Sequence, residues 1–172
     1  VFTLSGNHIM PVFDALLGRD IALIHTRQEA AAVHMADAHA RLTGRPGIAL
    51  VTGGQGHTNA VAALSTALAG EVPLVLLSGH APWGELGLGA FQELENVALA
   101  APVTKAAWAA RDASGLAGDL ARAMRIAASG RSGPVHLSLP TDVLEGRTDP
   151  AGIATALERL VACPDLCSRR WI

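Results

Sequence analysis

The sequence predicts an α/β fold, a doubly wound parallel sheet of about six strands with helices on both faces. Short runs rich in Val, Ile and Leu alternate with longer Ala-rich segments that have a helical pattern. Most of the short runs end in Gly, Ser, Thr or His, as expected where a strand enters a turn. Repeated strand–helix units of this kind build parallel sheets that helices cover on both sides.

Turn-forming residues separate the expected strands from the helices. Pro11 is tolerated in the first turn of the first helix, Gly44 and Pro46 end the second helix, and the Gly-rich stretch 79–89 is expected to be a loop. The expected strands are Val1–Leu4, Ile21–His25, Gly47–Val51, Leu74–Leu77, the weaker candidate Lys105–Trp108, and Val135–Leu139. The expected helices are Ile9–Leu17, Gln28–Leu42, Thr58–Ala69, a short Phe91–Leu99, and Ser114–Ala128.

The strand–helix alternation stops after Asp149 and Pro150. We therefore expect one domain at residues 1–148, truncated at its start, because the first strand is already in progress at Val1. Residues 149–172 are expected to be a linker or the tail of a missing second domain. The two cysteines, Cys163 and Cys167, have no histidine cluster nearby to complete a zinc site, so we expect free thiols.

Composition excludes several classes of function. The chain has 172 residues, of which 50% are hydrophobic and 16% charged, which is typical of a globular domain. A formal net charge of -2, with both signs scattered, gives no footprint for nucleic acid or an anionic membrane. No apolar run reaches the roughly 20 residues of a membrane span, and the N-terminus lacks signal-peptide features. We expect a cytoplasmic protein.

One carboxylate and one glycine turn are expected at the same edge of the sheet. Glu29 follows the second expected strand, and Gly53-Gly54-Gln55-Gly56 follows the third. Loops at the carboxyl ends of parallel strands converge on a common crevice, where ligands bind. Glycine lets the backbone pass close to a flat ligand, and a neighbouring carboxylate can hydrogen-bond a heteroaromatic ring nitrogen.

Taken separately, each feature has an ordinary explanation. A glutamate in the first turn of a helix is common because the helix dipole favours a negative charge there. The glycine turn is neither the Gly-x-Gly-x-x-Gly of dinucleotide folds nor a phosphate loop. His34 and His39 do not share a helix face well enough to bind a metal together.

The order of six motifs is more specific than any one of them. They are TRQEAAA (26–32), ARLTGRPG (40–47), VTGGQGHTN (51–59), VPLVLLSG (72–79), AFQE (90–93) and GPVHLSLPTD (133–142). Over residues 1–145 this series resembles the N-terminal, pyrimidine-binding domain of the thiamine-diphosphate enzymes of the acetolactate synthase and pyruvate oxidase-like family.

The resemblance implies that Glu29 is catalytic. In the family the matching Glu hydrogen-bonds N1′ of the cofactor's aminopyrimidine and favours its imino tautomer, whose 4′ nitrogen then removes the C2 proton of the thiazolium. It also implies that Gly54, Gln55 and Asn59 surround the pyrimidine. The substrate-side residues that it implies are Asn7, His8, Phe91, Gln92 and Lys105.

The same resemblance implies a larger active site than this chain supplies. Thiamine diphosphate would be the cofactor, with its diphosphate and magnesium held by a domain that contains a Gly-Asp-Gly segment missing here. A 2-oxo acid would be the substrate, decarboxylated or joined to a second carbonyl compound. The partners would be the pyrophosphate-binding domain of the full-length enzyme and further copies in a homo-oligomer, a dimer or tetramer. Alone, the chain is expected to be inert.

Association is expected to use two Ala-rich segments, Ala30–Ala38 and Thr58–Ala67. Both contain few charges, which suits helix packing against a second copy and suits water poorly. Replacing Ala63 with Arg is expected to dissociate such an assembly.

Three positions depart from the family pattern. Gln28 stands where the family usually has His, Gln55 replaces the usual Pro, and Gly79-His80 replaces a common Gly-Gln. Gln55, His80 and the nearby His57 either alter the substrate pocket or are surface substitutions. Two other functions remain open, a non-catalytic oligomerisation or binding module that keeps the fold, and a flavodoxin-like nucleotide-binding domain.

Overall fold

A computed structural model of the protein describes residues 1–148. The expected linker or tail at 149–172, including Cys163 and Cys167, lies outside the described residues. The strands are β1 (Phe2–Thr3), β2 (Ile24–His25), β3 (Gly47–Val51), β4 (Leu74–His80), β5 (Ala106–Ala109) and β6 (Pro134–Pro140). The α-helices are α1 (Met10–Leu16), α2 (Glu29–Thr43), α3 (Gln55–Ala69), α4 (Asn96–Ala100), α5 (Leu116–Ala128) and α6 (Thr141–Leu144). Short 3₁₀ turns occupy Asn7–Ile9, Trp83–Glu85 and Ala101–Val103.

The predicted fold class is confirmed. All six strands are parallel, in the order β2-β1-β3-β4-β6-β5. Successive strand residues point to opposite faces of the sheet, and helices cover the apolar side chains on both faces. Leu74 and Leu76 of β4 pack with α2 and α3, whereas Val75 packs with α5 on the other face. Such strands are buried on both sides, which explains their nearly continuous apolar sequence.

Strand lengths differ from the prediction where pairing differs. Only Ile24 and His25 of the expected strand Ile21–His25 are paired, because β2 is an edge strand that contacts β1 alone. β4 instead runs on to His80, since β6 pairs with it along its whole length. The sheet therefore extends furthest at its centre, directly beneath the loops that follow β3 and β4.

The expected helix at Phe91–Leu99 is wrong in its first half. Only Asn96–Ala100 is helical, and residues 91–95 form turns and irregular backbone. Gln92 has a φ of 54°, a left-handed conformation that a helix does not contain. The contacts described below hold this segment away from a helical path.

The Ala-rich helices α2 and α3 pack against each other and the sheet. Their buried residues are mainly alanine, which allows the two backbones to approach closely. Ala63 is only 4% exposed and belongs to this core. The expectation that an Ala63 substitution reports on assembly is therefore wrong, because this side chain faces inward.

The outer faces of these helices are mixed in character. Met35 on α2 is 40% exposed, and Ala62, Ser65 and Thr66 on α3 are exposed. Within the expected segments 30–38 and 58–67 the strongly apolar surface is thus reduced to one large hydrophobic side chain among small residues, and the more exposed Leu42 lies beyond them near the end of α2. Within residues 1–148, every helix is too short or too polar to cross a bilayer.

The position of Ala63 makes a test of the core. Ala63→Arg should lower the free energy of unfolding by more than about 3 kcal/mol, because it inserts a charged side chain where no space exists. Leu42→Arg, at an 87% exposed position near the end of the neighbouring helix α2, should change it by no more than about 0.5 kcal/mol. Urea unfolding followed by circular dichroism compares the two, and equal stabilities would contradict this packing.

Candidate functional site

The carboxyl ends of four strands bring the predicted site residues to one edge of the sheet. Asn7 lies after β1, Glu29 after β2 and the glycine turn after β3. The long loop 81–95, which we call the substrate-side loop, follows β4 and carries Phe91 and Gln92. Because all strands run in the same direction, these four segments meet above the same part of the sheet.

Glu29 is held at the start of α2 by local capping. The Gln28 side chain accepts a hydrogen bond from the Ala31 backbone N–H at 3.1 Å, so it is the N-cap residue of α2. Gln28, one of the three departures noted in the sequence, thus has a structural role in this chain. Glu29 follows immediately and is half-buried.

The carboxylate of Glu29 has one occupied and one open oxygen. The Asn59 side-chain amide donates a hydrogen bond to Glu29 Oε2 over 3.0 Å. No donor among residues 1–148 hydrogen-bonds Oε1. This oxygen is 3.3 Å from the point where a Cβ on Gly56 would lie, so Glu29 borders the glycine turn, as the sequence predicts.

The glycine turn depends on the absence of side chains. Gly54 has a φ of 57°, and a Cβ placed there would lie 2.7 Å from Gln92 Cβ. A Cβ on Gly56 would lie 2.7 Å from Thr52 Cγ2. Helix α3 begins directly at Gln55, earlier than predicted, so the turn is the N-terminus of that helix. Its backbone is therefore close both to Glu29 and to the substrate-side loop.

The substrate-side loop contacts the site through Phe91 and Gln92. His8 Nε2 donates to the Phe91 carbonyl at 3.1 Å, and the two rings stack with centroids 5.7 Å apart. The Gln92 side-chain amide donates to Gln55 Oε1 at 3.1 Å. Burial lowers the pKa of His8, which favours the neutral ring that these contacts use.

Lys105 is the one predicted site residue that the structure does not bring to this edge. It precedes β5, at the amino ends of the strands, and its ammonium group donates to the carbonyls of Ile126 and Ser129. Those carbonyls lie at the C-terminal end of α5, where a cation is favourable. This placement makes Lys105 a helix-capping residue instead of a substrate-side one.

A buried polar cluster beneath the site is larger than the sequence indicates. His57 Nδ1 lies 2.7 Å from Ser78 Oγ, and its Nε2 lies 2.9 Å from the Asn96 carbonyl oxygen. The ring of His136 lies 4.5 Å from that of His57, centroid to centroid. His57 and His80 are both buried, so they are not surface substitutions.

His136 was not singled out from the sequence. Its signal was a histidine in a mostly apolar strand, and the sequence pattern alone does not show whether such a side chain is buried or exposed. The strand register supplies the missing information, because Leu76 pairs with His136 and Ser78 pairs with Ser138 on the face that α3 covers.

These histidines are held neutral by their surroundings. Burial lowers the pKa of His57 to about 4, an effect that the contact with the Asn96 carbonyl opposes and that nearby His80 reinforces. Burial, followed by the proximity of His57 and His80, holds the pKa of His136 well below its ordinary value. A charge on either ring would lie in the core without a counter-ion in the described part of the chain.

The arrangement at the edge is suited to one kind of chemistry. A carboxylate oriented by an amide, with one open oxygen, can accept a hydrogen bond from a ring N–H and hold or release its proton. The glycine backbone beside it leaves room for a flat ring. No group of three or more His, Cys, Asp or Glu side chains within residues 1–148 is arranged to hold a metal ion.

Comparison with known proteins gives consistent matches. Residues 1–99 match the family described as thiamine pyrophosphate enzyme, N-terminal TPP binding domain. The chain is 38% identical over 149 residues to a probable acetolactate synthase large subunit of Methanocaldococcus jannaschii, covering 87% of this chain and 25% of that protein. It is 42% identical over 147 residues to the isozyme 3 large subunit of acetolactate synthase from Escherichia coli, covering 84% and 25%.

A relative with a different printed activity matches about as well. The 2-hydroxyacyl-CoA lyase 2 of Danio rerio is 41% identical over 144 residues, covering 84% of this chain and 23% of that protein. The chain thus spans about a quarter of the length of the curated relatives it matches.

The depressed histidine pKa values predict acid sensitivity. The folded state holds these rings neutral, whereas the same rings in the unfolded chain take up a proton near pH 6.5. Their contribution to the free energy of unfolding is therefore fully present above pH 6.5 and is lost as the pH falls toward about 4. His57 alone should account for on the order of 3 kcal/mol across this range. Urea unfolding at a series of pH values measures the effect. A His57→Gln variant should show a shallower dependence, and an unchanged slope would contradict the assignment.

Proposed function

The chain belongs to the family of thiamine pyrophosphate enzyme N-terminal TPP-binding domains, and we propose that it supplies the pyrimidine side of the active site in an acetolactate synthase-like enzyme. The observation that carries the proposal is the open oxygen of Glu29 beside the glycine turn. The acetolactate synthases among the relatives support the reaction class, a decarboxylation or carboligation of 2-oxo acids.

The residues present fit the pyrimidine end of thiamine diphosphate. Glu29 Oε1 would accept the ring N–H, while Asn59 holds the other oxygen and so fixes the plane of the carboxylate. The backbone of Gly54 and Gln55 would border the ring, because the turn lies beside Glu29 and has no Cβ at Gly56, the position next to Oε1. The cofactor, when bound, supplies a nucleophilic carbon that adds to the carbonyl group of the substrate.

Glu29 would act as a proton relay. Its free oxygen would share a proton with the ring nitrogen, and Asn59 would keep the carboxylate from rotating away. A hydrogen bond from a neutral amide orients the group without neutralising it. This division of roles makes Glu29 the catalytic residue and Asn59 its positioning partner.

The substrate side would be formed by the N-terminal turn and the loop after β4. Asn7 and Phe91 are exposed at this edge, while His8 and Gln92 hold the loop through the contacts described above. An exposed Phe91 ring above the cofactor would exclude water from one side of a bound 2-oxo acid.

The remaining parts of the enzyme are proposed to come from elsewhere. Magnesium and the diphosphate would be held by a pyrophosphate-binding domain outside this chain, since hard cations require several oxygen ligands. The full enzyme would be cytoplasmic. No finding favours a non-catalytic module or a flavodoxin-like nucleotide-binding domain.

Exchange of this domain into a relative tests the proposal. Residues 1–148 would replace the matching segment of the E. coli isozyme 3 large subunit, and acetolactate formation would be measured. The chimera should be active. Glu29→Gln should lower kcat at least about 100-fold, because a neutral amide cannot relay the proton.

A matched control is available at the opposite edge of the sheet. Glu71 is exposed and pairs with Arg131 over 2.9 Å just before β4, so Glu71→Gln should leave activity nearly unchanged. A folded chimera that is inactive with Glu29 present, or equal activity of the two glutamine variants, would contradict the proposed function.

Association with a second copy belongs to the same proposal. The exposed small residues of α3 and Met35 of α2 offer a close-packing face that leaves the core undisturbed. Ala62→Arg should shift the chain toward monomer in light scattering, since it adds bulk and charge only to this face. A monomeric parent chain at high concentration would refute self-association.

A further inference from the structure

Three hydrogen bonds hold the substrate-side loop and the helix after it against the rest of the site. His8 bonds the Phe91 carbonyl, Gln55 bonds the Gln92 side chain, and His57 bonds the Asn96 carbonyl. The first is partly buried and the second is exposed. The third is fully buried, so water cannot substitute for either partner.

His57 joins three elements, α3, β4 and α4, through buried hydrogen bonds. It lies in the first turn of α3, directly after the glycine turn. One ring nitrogen contacts Ser78 of β4 and the other contacts Asn96, the first residue of α4. The Asn96 side-chain amide in turn donates to the Gly79 carbonyl at 2.9 Å. The end of the loop is therefore tied both to the sheet and to the glycine turn.

The contacts determine which nitrogen of His57 carries the proton. A carbonyl oxygen only accepts, so Nε2 donates to Asn96, and Nδ1 of the neutral ring accepts from the Ser78 hydroxyl. The lowered pKa of His57 keeps this neutral form at physiological pH. The ring thus offers one fixed donor and one fixed acceptor.

We propose that His57 is a positioning residue for the substrate side: through the Asn96 carbonyl it sets where Phe91 and Gln92 stand relative to the glycine turn. This inference rests on the proposed function, because those residues face substrate only if that function holds. His57 itself is 0% exposed and touches neither cofactor nor substrate. It acts by fixing the start of α4, four residues after Gln92.

Core filling alone does not explain a histidine here. An apolar side chain would leave the Ser78 hydroxyl without a partner, and the Asn96 carbonyl would keep only its place in the first turn of α4. Asn96 Oδ1 has no hydrogen-bond partner among the described residues, so this oxygen does not help to hold the start of α4. The donor at Nε2 is therefore the specific requirement.

Two conservative variants separate the donor from the bulk of the ring. His57→Gln places an amide N–H near the position of Nε2, whereas His57→Asn reaches only the position of Nδ1. His57→Leu removes both contacts. The measurement on the 172-residue chain is amide hydrogen exchange of Gly87, Ala90 and Glu93, which are hydrogen-bonded within the loop.

The Asn and Leu variants should exchange these loop amides roughly tenfold faster relative to the amides of α5. The Gln variant should stay within about threefold of the parent chain. The side-chain amide signal of Gln92 in NMR spectra should move toward that of a free amide in the Asn and Leu variants and should stay unchanged in the Gln variant. Equal acceleration in the loop and in α5, or equal behaviour of Asn and Gln, would overturn the proposal.

The experiment is independent of the cofactor. Hydrogen exchange decides whether His57 holds the loop even if the Glu29 chimera proves inactive. In an active chimera, His57→Asn should raise KM for the 2-oxo acid about fivefold with a smaller change in kcat. An unchanged KM there, together with a mobile loop, would refute the positioning role while leaving the proposed function intact.

Discussion

The close approach of α2 to β3 and α3 is the constraint on which the site depends. A Cβ on Gly47 would lie 2.0 Å from the Ala36 carbonyl oxygen, so only glycine allows α2 to cross the start of β3 at this distance. Alanines continue the contact between α2 and α3. Because both helices begin at the same edge, their separation fixes the distance between Glu29 and Asn59. The carboxylate is oriented by packing that lies well below it.

Local signals in the sequence predict the parts of the fold that are bounded by glycine and proline. β3 has the predicted ends, Gly47 and Val51, because Pro46 precedes it and the glycine turn follows. β2 is shorter than predicted, since strand length at an edge depends on the neighbour available. The segment from Phe91 has a helical pattern, yet contacts from His8 and Gln55 keep it irregular. Such tertiary contacts are not visible in local periodicity.

The site itself was predictable only in part. Glu29 and the glycine turn follow from strand order, since the carboxyl ends of parallel strands share an edge. Lys105 was assigned by resemblance, but its position before β5 places it at the other edge. The cluster of His57 and His136 depends on the register between β4 and β6 and on the packing of α3 over that face, which together join residues almost 80 positions apart in the chain. Sequence spacing does not contain that register.

The brevity of the two outer strands has a consequence for how the domain behaves at high concentration. β2 and β5, at the two ends of the sheet, are two and four residues long. An unpaired edge recruits another strand through its free N–H and C=O groups, and short edges offer few of them. Sheet extension from molecule to molecule, the usual beginning of amyloid-type aggregation, is therefore disfavoured at both sides.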